Sequence, residues 1–178
     1  EYDEHVWLSL KNADIACKSI AENLATLDPE NAETYRANYT AYSKKLAALD
    51  AKYKEAVTKA PVKTVLFGDR FPFRYLTEDY DLNYYAAFSG CSAETEASFE
   101  TVVFLANKVD ELNLPAVLTI ENSDGRIART IVENTTSKDQ AILAMDSLQG
   151  TTGRDATDGA GYLDIMKSNL NILKQALQ

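Results

Sequence analysis

The chain has 178 residues, 46% of them hydrophobic, and a formal net charge of −9. That length supports one well-buried domain with appendages, and that apolar content excludes a disordered chain. The negative charge argues against nucleic acid and anionic membrane surfaces, which are bound through basic patches, and suits a cationic ligand.

Residues 7–27 read as a helix, with Ala13, Cys17, Ile20 and Leu24 on its apolar face. Cys17 is therefore expected to be a buried small hydrophobe. Cys91 lies in a Gly-Cys-Ser loop. Neither cysteine belongs to a C-x-x-C pair or has a histidine nearby, which argues against a structural zinc knuckle and leaves a disulfide between them open. Asp28-Pro29 ends the first helix and starts a second, with Asp28 as N-cap and Pro29 at the first helical position. There Tyr35, Tyr39, Tyr42, Leu46, Leu49 and Tyr53 form one narrow stripe. Over roughly 28 residues it would run about 40 Å at 1.5 Å per residue. The tyrosine content favours a long helix bridging two parts of a larger protein over a coiled-coil seam.

After Ala60-Pro61 the pattern changes to short strands at 62–67, 84–88, 116–120 and 141–145. Helices alternate with them at 73–80, at 92–112 behind a capping signal (Glu94, Glu96, Ser98) and at 126–133. A polar Gly/Thr/Asp loop at 150–159 precedes a last helix carrying Tyr162, Met166, Leu170, Leu173 and Leu177 on one face. Alternation of this kind predicts an α/β class: a three-layer lobe with a four-stranded, mainly parallel sheet flanked by helices, preceded by the long interdomain helix.

Ligands of open α/β sheets gather at the carboxyl ends of the strands. Strand one ends in Gly68-Asp69-Arg70, strand three in Ile120-Glu121-Asn122 and strand four in Met145-Asp146-Ser147. Three carboxylates on one edge predict a strongly negative crevice suited to a divalent cation. Glu121 is read as a cap of the following helix, because Ser123 and Asp124 look like turn and cap residues. Asp69 and Asp146 are the candidate ligands. The one histidine, His5, lies between Asp3-Glu4 and the one tryptophan, Trp7, and is a further candidate ligand at the mouth of a helix.

The segment Asp3-Glu4-His5-Val6-Trp7-Leu8-Ser9 resembles the D-x-H-x-W-L-S/N motif of the zinc- and manganese-binding solute-binding proteins of ABC transporters, the ZnuA/TroA-like family. Residues Ser89 to Ser98 are similar to that family's S-G-x-S-P-E-T-E-P-S loop, with alanine at both proline positions. Gly161 to Leu170 resembles its closing G-x-x-Y-x-x-x-M-x-x-N-L helix. The resemblance implies metal held between two lobes by four ligands, two from each lobe. His5 matches the second histidine of the first lobe, and the first would lie upstream. The third is usually histidine or glutamate; Phe67 to Phe73 contains neither, and Asp69 is the nearest acid. Asp146 looks like the manganese-type D-S-I ligand, and Gln149 stands where zinc members carry glutamate. One imidazole with two carboxylates suits zinc or manganese better than copper.

The resemblance divides the chain into 1–28, the end of an N-terminal lobe with the ligand loop; 29–60, the connecting helix; and 61–178, the C-terminal α/β lobe. It implies an extracytoplasmic, lipid-anchored or periplasmic protein, not an enzyme, that hands zinc or manganese to an ABC permease. An N-terminal glutamate and the absence of a signal peptide suggest that an upstream segment has been removed. Without a first lobe, Val6, Trp7 and part of the tyrosine stripe would lack partners, which predicts self-association. Two other readings are an adhesin-like module using the tyrosines, and a metal-dependent hydrolase built on the strand-end carboxylates. The hydrolase is disfavoured because the sequence has no second histidine beside a base, no G-x-S-x-G elbow and no glycine-rich phosphate loop.

Overall fold

A computed structural model describes residues 3–89, 97–157 and 161–178. The expected elements form with shifted ends. A 3-10 turn, Val6–Leu8, precedes α1, Leu10–Leu27. The helix starts at Leu10 rather than residue 7 because Ser9 caps it, its Oγ accepting from Asn12 N at 3.0 Å. Asp28 makes no side-chain cap; its Oδ2 accepts from Asn31 and Tyr35 instead. A 3-10 turn, Pro29–Asn31, then leads into α2, Ala32–Lys59.

The sheet holds β1 (Thr64–Phe71), β2 (Asn83–Ser89), β3 (Ala116–Ile120) and β4 (Ala141–Met145), all parallel, in the order β2-β1-β3-β4. The connecting helices are α3 (Arg74–Asp79), α4 (Phe99–Leu112) and α5 (Arg126–Glu133), and the chain closes with α6 (Gly153–Thr157) and α7 (Tyr162–Ala176). The predicted 150–159 loop thus contains a short helix. From β1 the chain moves outward to β2, then returns to lay β3 on β1's other side. The reversal point lies between β1 and β3, where such sheets open a crevice. Against β2, Phe67 pairs with Ala86 but Arg70 with Phe88, so Gly68-Asp69 carries one extra residue, a bulge that turns the end of β1.

Strand side chains alternate between two apolar layers. Val65, Phe67 and Leu118 face the layer that also holds Leu46, Leu49, Tyr53 and Val57 of α2 and Met166, Leu170 and Leu173 of α7. Leu66 and Val117 face Val102, Leu105 and Val109 of α4 and Ala128 and Ile131 of α5. Leu8 and Leu10 join the first layer, so the turn carrying His5 is rooted in the same core as the sheet. Tyr53 is fully buried, donates its hydroxyl to Met166 C=O at 2.6 Å and stacks on Tyr80; burial pushes its phenol far above its ordinary pKa.

The upper part of the stripe, Tyr35, Tyr39 and Tyr42, is half-buried against α1, with the Tyr35 and Tyr39 hydroxyls bonded to Asp28 and Asp14. The expected apolar face of α1 is split. Ala13 is buried and Cys17 half-buried as a free thiol, while Ile20 and Leu24 are exposed and Ala21 and Ala25 are buried instead. Burial, then Asp14, raises the Cys17 pKa. Cys91 and most of the Ser89 to Ser98 motif lie outside the described residues. No helix among the described residues is long and apolar enough to cross a membrane.

Candidate metal centre

His5 is only 1% exposed. Asp3 Oδ1 accepts from the His5 main-chain N–H at 2.9 Å and lies 2.7 Å from Nδ1. An ionised carboxylate can only accept, so this contact puts the imidazole proton on Nδ1 and turns the bare lone pair of Nε2 outward, the tautomer that ligates a metal. Nε2 meets the side-chain amide of Gln149, whose N–H donates to it. The chain around His5 is tied down at both ends. Tyr75 donates to Asp3 C=O at 2.9 Å, and Tyr162 to Trp7 C=O at 2.7 Å. Ser9 donates to Asp79 at 2.6 Å. Trp7 packs edge-on to the imidazole, and its indole N–H donates to Ser147 C=O at 3.0 Å. Trp7 is thus half-buried and partnered, contrary to the expectation of an orphaned side chain, whereas Val6 is 47% exposed.

Asp146 begins the loop that carries Gln149. Asn169 of α7, buried to 1% exposure, holds the Asp146 main chain from both sides: its Oδ1 accepts from Asp146 N at 2.8 Å and its Nδ2 donates to Asp146 O at 2.7 Å. One carboxylate oxygen of Asp146 accepts from Leu148 N at 2.7 Å, and the other takes no hydrogen bond among the described residues. Burial first, and Glu121 as a neighbouring negative charge, raise the Asp146 pKa above its ordinary value. A bound cation would reverse that balance.

Glu121 does not cap α5. That helix has Gly125 as its N-cap residue, and the nearby Arg126 N–H goes to Asp124. Instead the Glu121 carboxylate reaches across to the β4 loop and accepts from Ser147 N (2.7 Å), Ser147 Oγ (2.6 Å) and Gly150 N (3.1 Å). In the sequence, an acid after a strand looks the same whether it caps the next helix or braces a loop from another strand.

Asp69 lies on the β1 bulge. Its Oδ1 accepts from Arg70 N at 2.8 Å, and its Oδ2 accepts from Ser123 Oγ across the reversal point. Asp69 and Glu121 line one cleft of about 300 Å³, together with Arg70 and Arg126. The field there is mixed, not negative throughout as three strand-end acids suggested. Asp69 and Asp146 are not in a common cluster with His5. Among the described residues one set of three or more such groups, Asp3, Glu4 and His5, has ligand atoms within 4.8 Å of one another. The side chain brought directly onto the His5 lone pair is Gln149.

The family model of the zinc-uptake complex component A, periplasmic, matches residues 1–176. This chain belongs to the ZnuA family. It is 32% identical over 175 residues to the zinc-binding lipoprotein AdcA of Streptococcus pneumoniae, covering 98% of this chain and 34% of AdcA. It is 31% identical to the high-affinity zinc uptake system protein ZnuA of Bacillus subtilis, covering 98% of this chain and 53% of that protein. The chain therefore spans a third to a half of the length of these relatives. The crystal structure of the Zn(II)-bound ZnuA-like domain of S. pneumoniae AdcA superposes with a TM-score of 0.78 at 29% identity, covering 99% of this chain and 64% of the domain. The α/β fold expected from the alternating pattern is the ZnuA fold.

Proposed function

We propose that this ZnuA-family chain captures a divalent metal ion, zinc before manganese, outside the cytoplasm and delivers it to the permease of an ABC transporter, with no covalent chemistry. The observation that carries this reading is the His5 imidazole, held by Asp3 with its Nε2 lone pair aimed at the Asp146–Gln149 loop. A metal would take the place of the Gln149 N–H on Nε2. His5 would supply nitrogen and the unbonded Asp146 oxygen a carboxylate, and Gln149, once rotated, an amide oxygen. Asp69 is the acid we assign to the third position, reached by giving up its Ser123 bond. Zinc is preferred because imidazole suits it better than it suits manganese, and because the relatives' names and the bound ion in AdcA are zinc.

The test is a titration of Zn²⁺ and Mn²⁺ into the 178-residue chain and into Asp146→Ala, following thermal stability. The expected result is a zinc-dependent rise in Tm that Asp146→Ala reduces; equal stabilisation of both proteins would overturn the assignment. Gln149→Glu supplies a charged oxygen beside Nε2 and is expected to tighten Zn²⁺ binding by roughly tenfold, about 1.4 kcal/mol, as expected when a charged donor replaces a neutral one. Competition against a chromogenic chelator reads this directly, and weaker binding than wild type would count against Gln149 as a neighbour of the metal.

A further inference from the structure

We propose that Glu121 is a positioning residue for metal capture: acting through Ser147, it holds the Asp146–Gln149 loop at the distance from His5 that a metal ion requires. The proposal rests on the metal-capture reading above, and names a residue that does not itself need to touch the ion.

Three observations carry it. Glu121 gives its carboxylate to three donors of one loop, and no Lys or Arg among the described residues forms an ion pair with it. An acceptor-only group is what two N–H groups and one O–H converging on one point require. Ser147, the residue it grips, is fully buried and is also the link to the His5 segment, since its C=O accepts from the Trp7 indole two residues beyond His5. Hydrogen bonds thus run from β3 through Glu121 and Ser147 to Trp7, which packs edge-on to the imidazole. The gripped loop is also conformationally costly. Leu148 sits at φ 63°, the left-handed region that a branched side chain rarely adopts. A backbone of this kind persists only where its surroundings hold it, and such positions cluster at binding sites. Asn169 fixes the loop at Asp146; further along, Glu121 takes the main-chain N–H groups of Ser147 and Gly150, beside the Trp7 indole on Ser147 C=O.

The closing experiment measures Zn²⁺ affinity by chelator competition and the visible absorption of the Co²⁺-loaded chain, for wild type, His5→Ala, Glu121→Gln, Glu121→Asp and Ser147→Ala. Glu121→Gln keeps size and shape but offers one acceptor oxygen and turns an NH₂ toward donors. It is expected to weaken zinc by roughly 10–100-fold, the range typical of residues that orient metal ligands. The Co²⁺ bands should shift in position and intensity, a change that a general loss of stability would not produce. Glu121→Asp, which keeps the charge and both acceptors, should recover part of the loss. Ser147→Ala removes one of the three links, should weaken zinc less, and carries the test if Glu121→Gln does not fold. Wild-type affinity and an unchanged Co²⁺ spectrum in Glu121→Gln, with binding lost in His5→Ala, would overturn the positioning role and leave metal capture standing. Absence of zinc binding in wild type itself would overturn the reading on which the role depends.

Discussion

Replacing His5 with alanine is expected to remove the zinc-dependent stabilisation of this chain. A ligand present at 100 times its Kd stabilises the folded state by about 2.7 kcal/mol. In a domain of this size each kcal/mol is worth roughly 2–4 °C, so the wild-type chain should gain roughly 5–10 °C and the variant close to none. The quantity to compare is the difference in Tm with and without metal for each protein, because His5 is buried and its removal also costs packing in the metal-free state. The size of the effect follows from the geometry. Asp3 fixes the proton on Nδ1, so Nε2 is the one nitrogen offered, and no other histidine exists in the chain to replace it. A His5→Ala protein that gains as much Tm from zinc as wild type would remove His5 from the site.

The second large effect is expected at Gly68. A Cβ on Gly68 would lie 2.6 Å from Ala128 Cα and 2.8 Å from its Cβ, so the obstacle includes α5 backbone and not merely the tip of a mobile side chain. Gly68→Ala must push α5 away from β1 and open the layer that holds Ala128 and Ile131. Overpacking of this kind costs about 1–3 kcal/mol. The same movement would stretch the Asp69–Ser123 bond across the cleft, since Ser123 lies just before α5. Gly153→Ala is the matched control: nothing lies within 4 Å of a Cβ there, and it should leave stability within about 0.5 kcal/mol of wild type. Urea unfolding of both variants measures the contrast, and equal midpoints would show that β1 and α5 are not in close approach.

Most of the fold was legible because its signals are local and repeated. The apolar runs 62–67, 116–120 and 141–145 are bounded by Pro, Asn and polar stretches, and each became a strand with ends moved by at most a few residues. The ends moved where a tertiary contact decides. Ser9 draws the start of α1 to Leu10 while also bonding Asp79, some seventy residues away. On α1, spacing placed Ile20 and Leu24 on the buried face, but α2 lies over the alanines, where two helices can approach closely.

The candidate site was legible in part. The Asp-x-His motif pointed to His5, and the structure shows why aspartate stands two residues before it: its carboxylate orients the ring. The asparagine of the closing helix motif has an equally plain role, gripping the main chain of Asp146. What spacing could not reveal is which strand-end acid serves which loop. Glu121 read as a helix cap, yet it braces the loop after β4, and only the neighbouring of β3 and β4 brings the two together. Nor could spacing show that Arg70 and Arg126 share the cleft of Asp69, because that depends on β1 and β3 being neighbours.

In the proposed site the His5 Nε2 lone pair, facing the Asp146–Gln149 loop, is the point at which this chain takes hold of its metal. Zinc K-edge absorption spectroscopy of the chain loaded with one equivalent of Zn²⁺, compared with His5→Ala, tests it most directly. The expected result is one imidazole nitrogen at about 2.0–2.1 Å with oxygen neighbours at about 2.0–2.2 Å in wild type, and loss of the imidazole scattering in the variant. An all-oxygen shell in wild type, or an unchanged spectrum in His5→Ala, would contradict it.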